Sequence, residues 1–235
     1  MSMKDEAKVP PFEDAKEERQ SVAVNEKTLA AWEIASVTSS FLIAEWMVLP
    51  FAGNSRLAAA VPLALALGLM LLSHRARGES ARELGWRLDN FKEALRLLAV
   101  PMLAAAALIV GTGFLLRGLH FTWGQFGEWA LWLPLWGLLQ QYVLQGFINR
   151  RAQIIFGRGS KSVLLVALIF ALLHLPNPWL SIATFAGGAL WAYVYQRVPN
   201  LPALALSHAL MSIVFAFALP PSATGSLRVG IKYFG

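Results

Sequence analysis

Seven long apolar stretches, separated by short charged connections, limit the folds open to this sequence. They run at about 28–51, 57–73, 95–116, 129–149, 162–178, 180–196 and 201–219. About 20 residues of helix cross the hydrocarbon core of a bilayer, with about 17 as the lower end. Within that core every backbone N–H and C=O has to be paired, which leaves helices or a closed barrel. Runs this long and unbroken are too long for strands, so the expected fold class is all-α: a polytopic membrane helix bundle of about seven transmembrane helices. The segment at 57–73 is at the lower limit of length. The one at 162–178 is shorter still if Pro176 ends it.

Composition agrees. Hydrophobic residues make up 57% of the 235 and charged residues only 14%, against about a quarter charged in a soluble domain. Mean hydropathy is +0.53. Acidic residues stop at Glu128, whereas the first 27 residues hold five Lys/Arg and seven Asp/Glu. The expected organisation is therefore a mobile charged tail at 1–27, a membrane bundle at 28–219 and a short C-terminal tail at 220–235.

Lysine and arginine set the orientation. One set of alternate connections carries Lys4, Lys8, Lys16, Arg19 and Lys27, then Arg75, Arg77, Arg82, Arg87, Lys92 and Arg96, then Arg150, Arg151, Arg158 and Lys161, then Arg197. The other set has only Arg56, Arg117, Arg228 and Lys232. Sixteen against four is the bias of a protein with a cytoplasmic N-terminus and seven spans. The cytoplasmic (plasma) membrane is the expected location, with membrane lipid as the first partner. The net charge of +6 follows from this distribution and does not point to nucleic acid. There is no cysteine, which excludes disulfides, thiol catalysis and thiolate zinc sites. The charged N-terminus does not have the layout of a cleavable signal peptide.

Polar side chains inside spans are costly, so they are where function is sought. In the fourth span Gly137, Gln141, Gln145 and Asn149 recur every fourth residue and form one helical stripe, with Gln140 about 100° away. The fifth span ends in Phe170-Ala171-Leu172-Leu173-His174, and the seventh carries Ser207, His208 and Ser212. Each alone is read most simply as glue between helices. Their concentration in three spans points to a shared chamber. Glu33 and Glu45 in the first span face a polar interior or lie near an interface. Two histidines with amides make a poor zinc site, since zinc favours thiolate, imidazole and carboxylate; no metal and no cofactor are expected.

These residues resemble the motifs of the CPBP intramembrane proteases, which include type II CAAX prenyl proteases and bacteriocin-processing enzymes. The run Gln140-Gln141-Tyr142-Val143-Leu144-Gln145 stands where that family has Glu-Glu, three residues and Arg. Phe170 to His174 matches its second motif, Phe, three residues, His. His208 to Ser212 resembles the third, a His followed four residues later by Asn or a small residue. The resemblance runs from about Leu84 to Leu219. It implies an intramembrane endopeptidase acting on a membrane-associated peptide or protein, with Gln140, Gln141, Gln145, His174, His208 and Ser212 as its site. In the family a motif-one Glu activates water with a histidine. A primary amide orients water but is a very poor base, so Gln140 does not inherit that role. Loss of both carboxylates together with the Arg avoids leaving a buried charge unpaired. Two readings follow: an endopeptidase in which His174 or His208 is the base, and a non-catalytic relative that binds a membrane-embedded or lipidated partner. A transporter or channel ranks last, because there is no inverted repeat.

Overall fold

The computed structural model describes residues 12–52 and 55–234. Every regular element in it is helical: α1 (Phe12–Ile43), α2 (Arg56–Ala76), α3 (Phe91–Leu115), α4 (Trp123–Gln141), α5 (Arg150–Phe156), α6 (Ser160–Leu172), α7 (Pro178–Arg197) and α8 (Leu201–Ala218), with short helical turns at Leu49–Phe51 and after α8. Two π-helical segments, Ala44–Val48 and Tyr142–Asn149, extend α1 and α4.

Helix occurs in all seven apolar stretches, but not always at the expected bounds. Three helices are long and apolar enough to cross a membrane: Gln20–Phe51, Phe91–Leu115 and Leu201–Ala218. The fifth stretch falls short, because α6 ends at Leu172 after 13 residues, about 20 Å of rise. The backbone turns at 173–177, before Pro178 opens α7 at its N-terminus. Part of the stretch expected as a tail, from Phe12 onward, is the start of α1. Its Glu, Lys and Ala residues are good helix formers, and a change of solvent from lipid to water is not a stop signal. Residues 1–11 lie outside the described residues.

The bundle is an integral membrane one by its surface as well. Leu103, Leu108, Phe114, Leu131 and Leu135 are exposed on it, whereas Gln141, Gln145, Asn149 and Arg151 are wholly buried. A water-soluble fold has the reverse distribution. Helix α6 packs on α7, α8 lies against α3 and α4, and α1 runs beside α2 and α5. Phe147, Phe170, Trp191, Tyr195, Leu201 and Leu204 fill the centre. Gly137 and Gly188 sit where a side chain would meet Ala205 and Ala167, so small residues bring these backbones close.

Both ends of the bundle are tied. On the basic side, the connector between α2 and α3 is strapped over the start of α8. Gly85 adopts φ +93°, natural only for glycine, and its carbonyl accepts the Leu201 N–H at 2.9 Å. Asn200 caps α8 through Ala203 N–H at 2.8 Å and also donates to Arg87 O at 2.8 Å and Asn90 Oδ1 at 2.7 Å. On the other side, the segment after α8 folds back on the α6–α7 turn. Asn177 donates to Thr224 O at 2.7 Å and Arg228 O at 3.1 Å. Gly230 N–H reaches Leu175 O at 2.8 Å.

Candidate active site

The motif-one stretch is where the backbone departs from regularity. From Tyr142 to Asn149 the helix winds with π geometry, and all eight residues are buried. Such segments are rare and concentrate at functional sites. The wider winding keeps residues four apart on nearly the same face, so the expected stripe persists: Gln145 Oε1 accepts from Asn149 Nδ2 at 2.8 Å.

Around Phe170 the structure gathers one residue from each of the three motifs. His174 packs edge-on against the Phe170 ring with centroids 4.7 Å apart, and His208 does so at 5.7 Å. The other neighbour of His208 is the Trp191 ring, at 4.5 Å. Trp191 is held in turn by its N–H donating to Ser207 Oγ at 2.9 Å. Gln141 Nε2 lies 3.3 Å from His208 Nδ1. The amide N–H in that orientation donates to Nδ1, so the ring proton of neutral His208 sits on Nε2. His174 Nδ1 is 2.7 Å from Phe170 O. A carbonyl only accepts, so Nδ1 carries the proton and Nε2 keeps its lone pair. The two imidazoles thus differ in tautomer: His174 keeps a lone pair on Nε2, and His208 carries its proton there.

Gln145 belongs to an adjoining amide network. Asn149 Nδ2 donates to Ala192 O at 3.2 Å, and its Oδ1 accepts from Gln196 Nε2 at 3.0 Å. Gln196 also donates to Ser162 Oγ at 2.9 Å and accepts the Gly159 N–H at 2.9 Å. Gln140 and Ser212 are half-buried and take no part in either group. An apolar crevice of about 380 Å³ opens elsewhere, at Val110, Phe121, Ile213 and Phe217. Its lining is apolar apart from His120.

The charge missing from the seam reappears at the basic end of the same helix. Arg151, wholly buried, sets its Nε 2.9 Å from Glu33 Oε2 and its Nη2 2.8 Å from Glu79 Oε2. The first is a charge contact rather than an aligned hydrogen bond, since that N–H has no hydrogen-bond partner. Arg150 Nε donates to Glu79 Oε1 at 2.7 Å, and His74 Nδ1 lies 2.6 Å from Glu79 Oε2. Ser73 Oγ bridges, donating to Glu33 Oε1 at 2.5 Å and accepting from Arg151 at 2.8 Å. Arg77 Nη2 completes the cluster, 3.2 Å from Glu33 Oε2. Glu33 therefore pairs with arginines and does not supply the seam with a base. Glu45 lies against Gly230 instead; neither carboxylate hydrogen-bonds to His174 or His208. Among the described residues no group of three His, Asp or Glu is placed to ligate a metal.

Burial alone raises the Glu79 carboxyl, but hydrogen bonds from His74, Arg151 and Arg150 outweigh it and hold the group well below the usual carboxylate range. The unfolded state then binds the proton more readily than the folded one. The cluster's contribution is complete above the unfolded value of about 4.3 and shrinks as pH falls below it. Thermal unfolding in detergent should show a lower midpoint at pH 3.5 than at pH 7, and Glu79→Gln should flatten that dependence.

The family model described as Type II CAAX prenyl endopeptidase Rce1-like matches residues 122–214. Over that stretch the chain is similar to this family. The matched stretch holds α4, the π segment, Phe170, His174, His208 and Ser212, and so the whole seam. The ion-pair cluster draws Glu33, Ser73, His74, Arg77 and Glu79 from outside the matched stretch. No curated protein and no solved structure matches the sequence. A sequence signal for the cluster existed in Glu33, an acid within an apolar run, and in Arg150-Arg151 directly after the polar stripe. Nothing in the sequence paired them across the intervening helices.

Proposed function

We propose that this protein is an intramembrane endopeptidase that hydrolyses a peptide bond in a membrane-associated peptide or protein, with His174 as the base. One observation carries the reading: the Phe170 carbonyl fixes the His174 tautomer so that Nε2 is unprotonated, beside a second imidazole whose Nε2 carries a proton. In the reaction His174 Nε2 takes a proton from water while the water oxygen adds to the scissile carbonyl carbon. The resulting oxyanion is met by the His208 N–H, whose tautomer Gln141 sets. Collapse breaks the C–N bond, and the proton held by His174 passes to the departing amine. An imidazole with a reference pKa of about 6.5 is a competent base near neutrality, which an amide is not. Gln140 and Ser212 flank this centre in sequence and are proposed to border the substrate.

The orientation belongs to the same proposal: seven crossings with the N-terminus in the cytoplasm, in the cytoplasmic membrane, as the arginine and lysine distribution favours. The full-length protein reconstituted into liposomes with membrane-anchored reporter peptides tests the reading. Appearance of a discrete cleavage product supports it. A protein that binds peptides yet never yields product is the non-catalytic relative instead.

A further inference from the structure

Two atoms in the seam are buried and without a partner: Gln141 Oε1 and Gln145 Nε2. The second is unambiguous, because its neighbours dictate which end of each amide is which. The Gly159 N–H is a donor, so the Gln196 atom it meets is oxygen. The other end of Gln196 is then the NH2 that donates to Asn149 Oδ1. Asn149 Nδ2 in consequence faces the Ala192 carbonyl and Gln145 Oε1. Gln145 is left presenting an NH2 with both hydrogens unbonded, on a side chain with no exposure. A donor buried this way is costly unless something accepts from it.

We infer that Gln145 is a carbonyl-binding residue, whose free amide NH2 takes a backbone C=O of a bound peptide at a point where that peptide's helix is broken. The inference rests on the proposed function only in that a peptide comes to this seam. The acceptor is neutral: the arginine positive charge at this end of the helix is already engaged by Glu33 and Glu79, so nothing near the amide selects an anion. A cation has no use for a donor. An intact helix spends its carbonyls on its own N–H groups, whereas a broken one leaves several free. Gln141, one turn along on the same stripe, adds a polar atom free for the peptide's N–H. A peptide backbone offers both groups at each residue other than proline.

The test uses the full-length protein in lipid nanodiscs, in a His174→Ala background that prevents turnover. The probe is a fluorescent apolar peptide of about 20 residues with a central Gly-Pro break. Gln145→Met should weaken its binding about five- to tenfold, the size of one hydrogen bond. Thr184→Val, which removes a buried hydroxyl bonded only within its own helix, should leave binding unchanged. A second peptide, with Ala-Leu in place of the break, keeps the test valid even if Gln145→Met fails to fold. It should bind the Gln145 protein less tightly than the broken peptide does. Equal binding by Gln145→Met and its parent would mean that water alone satisfies the donor, and the inference fails. It fails as well if the unbroken peptide binds equally tightly, or if neither peptide binds. Tight binding of the broken peptide without cleavage by the unmodified protein sinks the protease reading and leaves the carbonyl site standing.

Discussion

Arg151→Met lowers the melting midpoint of the detergent-solubilised protein by on the order of 10 °C. The side chain is wholly buried and stands between two carboxylates drawn from α1 and from the α2–α3 connector. Methionine keeps much of the length, so packing is not what is lost. What is lost is the countercharge: Glu33 keeps Arg77 and Glu79 keeps Arg150, but both acids stay largely buried in a cluster whose central cation is gone. Removing one partner of a buried pair costs about 3–5 kcal/mol, chiefly for the charge left behind. The double variant Arg151→Met with Glu79→Gln should lose less than the sum of the two singles, since groups that contact one another are not additive. A shift of only one or two degrees for Arg151→Met would mean that water already reaches and screens the cluster.

The largest effect on function is expected from His174→Ala. It removes the imidazole nitrogen in the seam whose tautomer leaves it free to take a proton, and the cleavage rate should fall about 10²- to 10⁴-fold. The affinity for substrate should stay within a factor of two or so, because a base acts on the transition state and not on the bound peptide. His208→Ala should cost a smaller factor, about 10²- to 10³-fold, as expected for one donor to an oxyanion. Measured cleavage by His174→Ala at the parental rate would remove this site from the reaction. The ranking of the two histidines depends on hydrogen-bond partners, Phe170 O for one and Gln141 for the other.

The difference between a charged and an uncharged motif one also organises the rest of the molecule. With Gln at 140, 141 and 145 the middle of the helix is neutral, and its polarity is managed by amides that bond to one another. The ion pairs gather at the basic end, where Arg150 and Arg151 meet acids contributed by α1 and the α2–α3 connector.

The sequence by itself determined that the protein is helical and lives in lipid. The length and continuity of the apolar runs leave no other solution for the backbone, whatever the helices touch. It also singled out Gln141, Gln145, Asn149, His174 and His208, because a polar group inside an apolar run is conspicuous without knowledge of its partner. Local rules did not fix where elements end: α1 begins at Phe12 and α6 stops at Leu172, since helix ends depend on what the flanking turn packs against. Only the tertiary structure decided that Phe170 sits between the motifs, and that the carbonyl behind it sets the protonation of His174. It alone showed Arg151 clasping Glu33 of α1 and Glu79 of the α2–α3 connector. Partners more than 70 residues apart are chosen by helix packing, and the pattern along one helix records which face is polar but not which neighbour that face will meet.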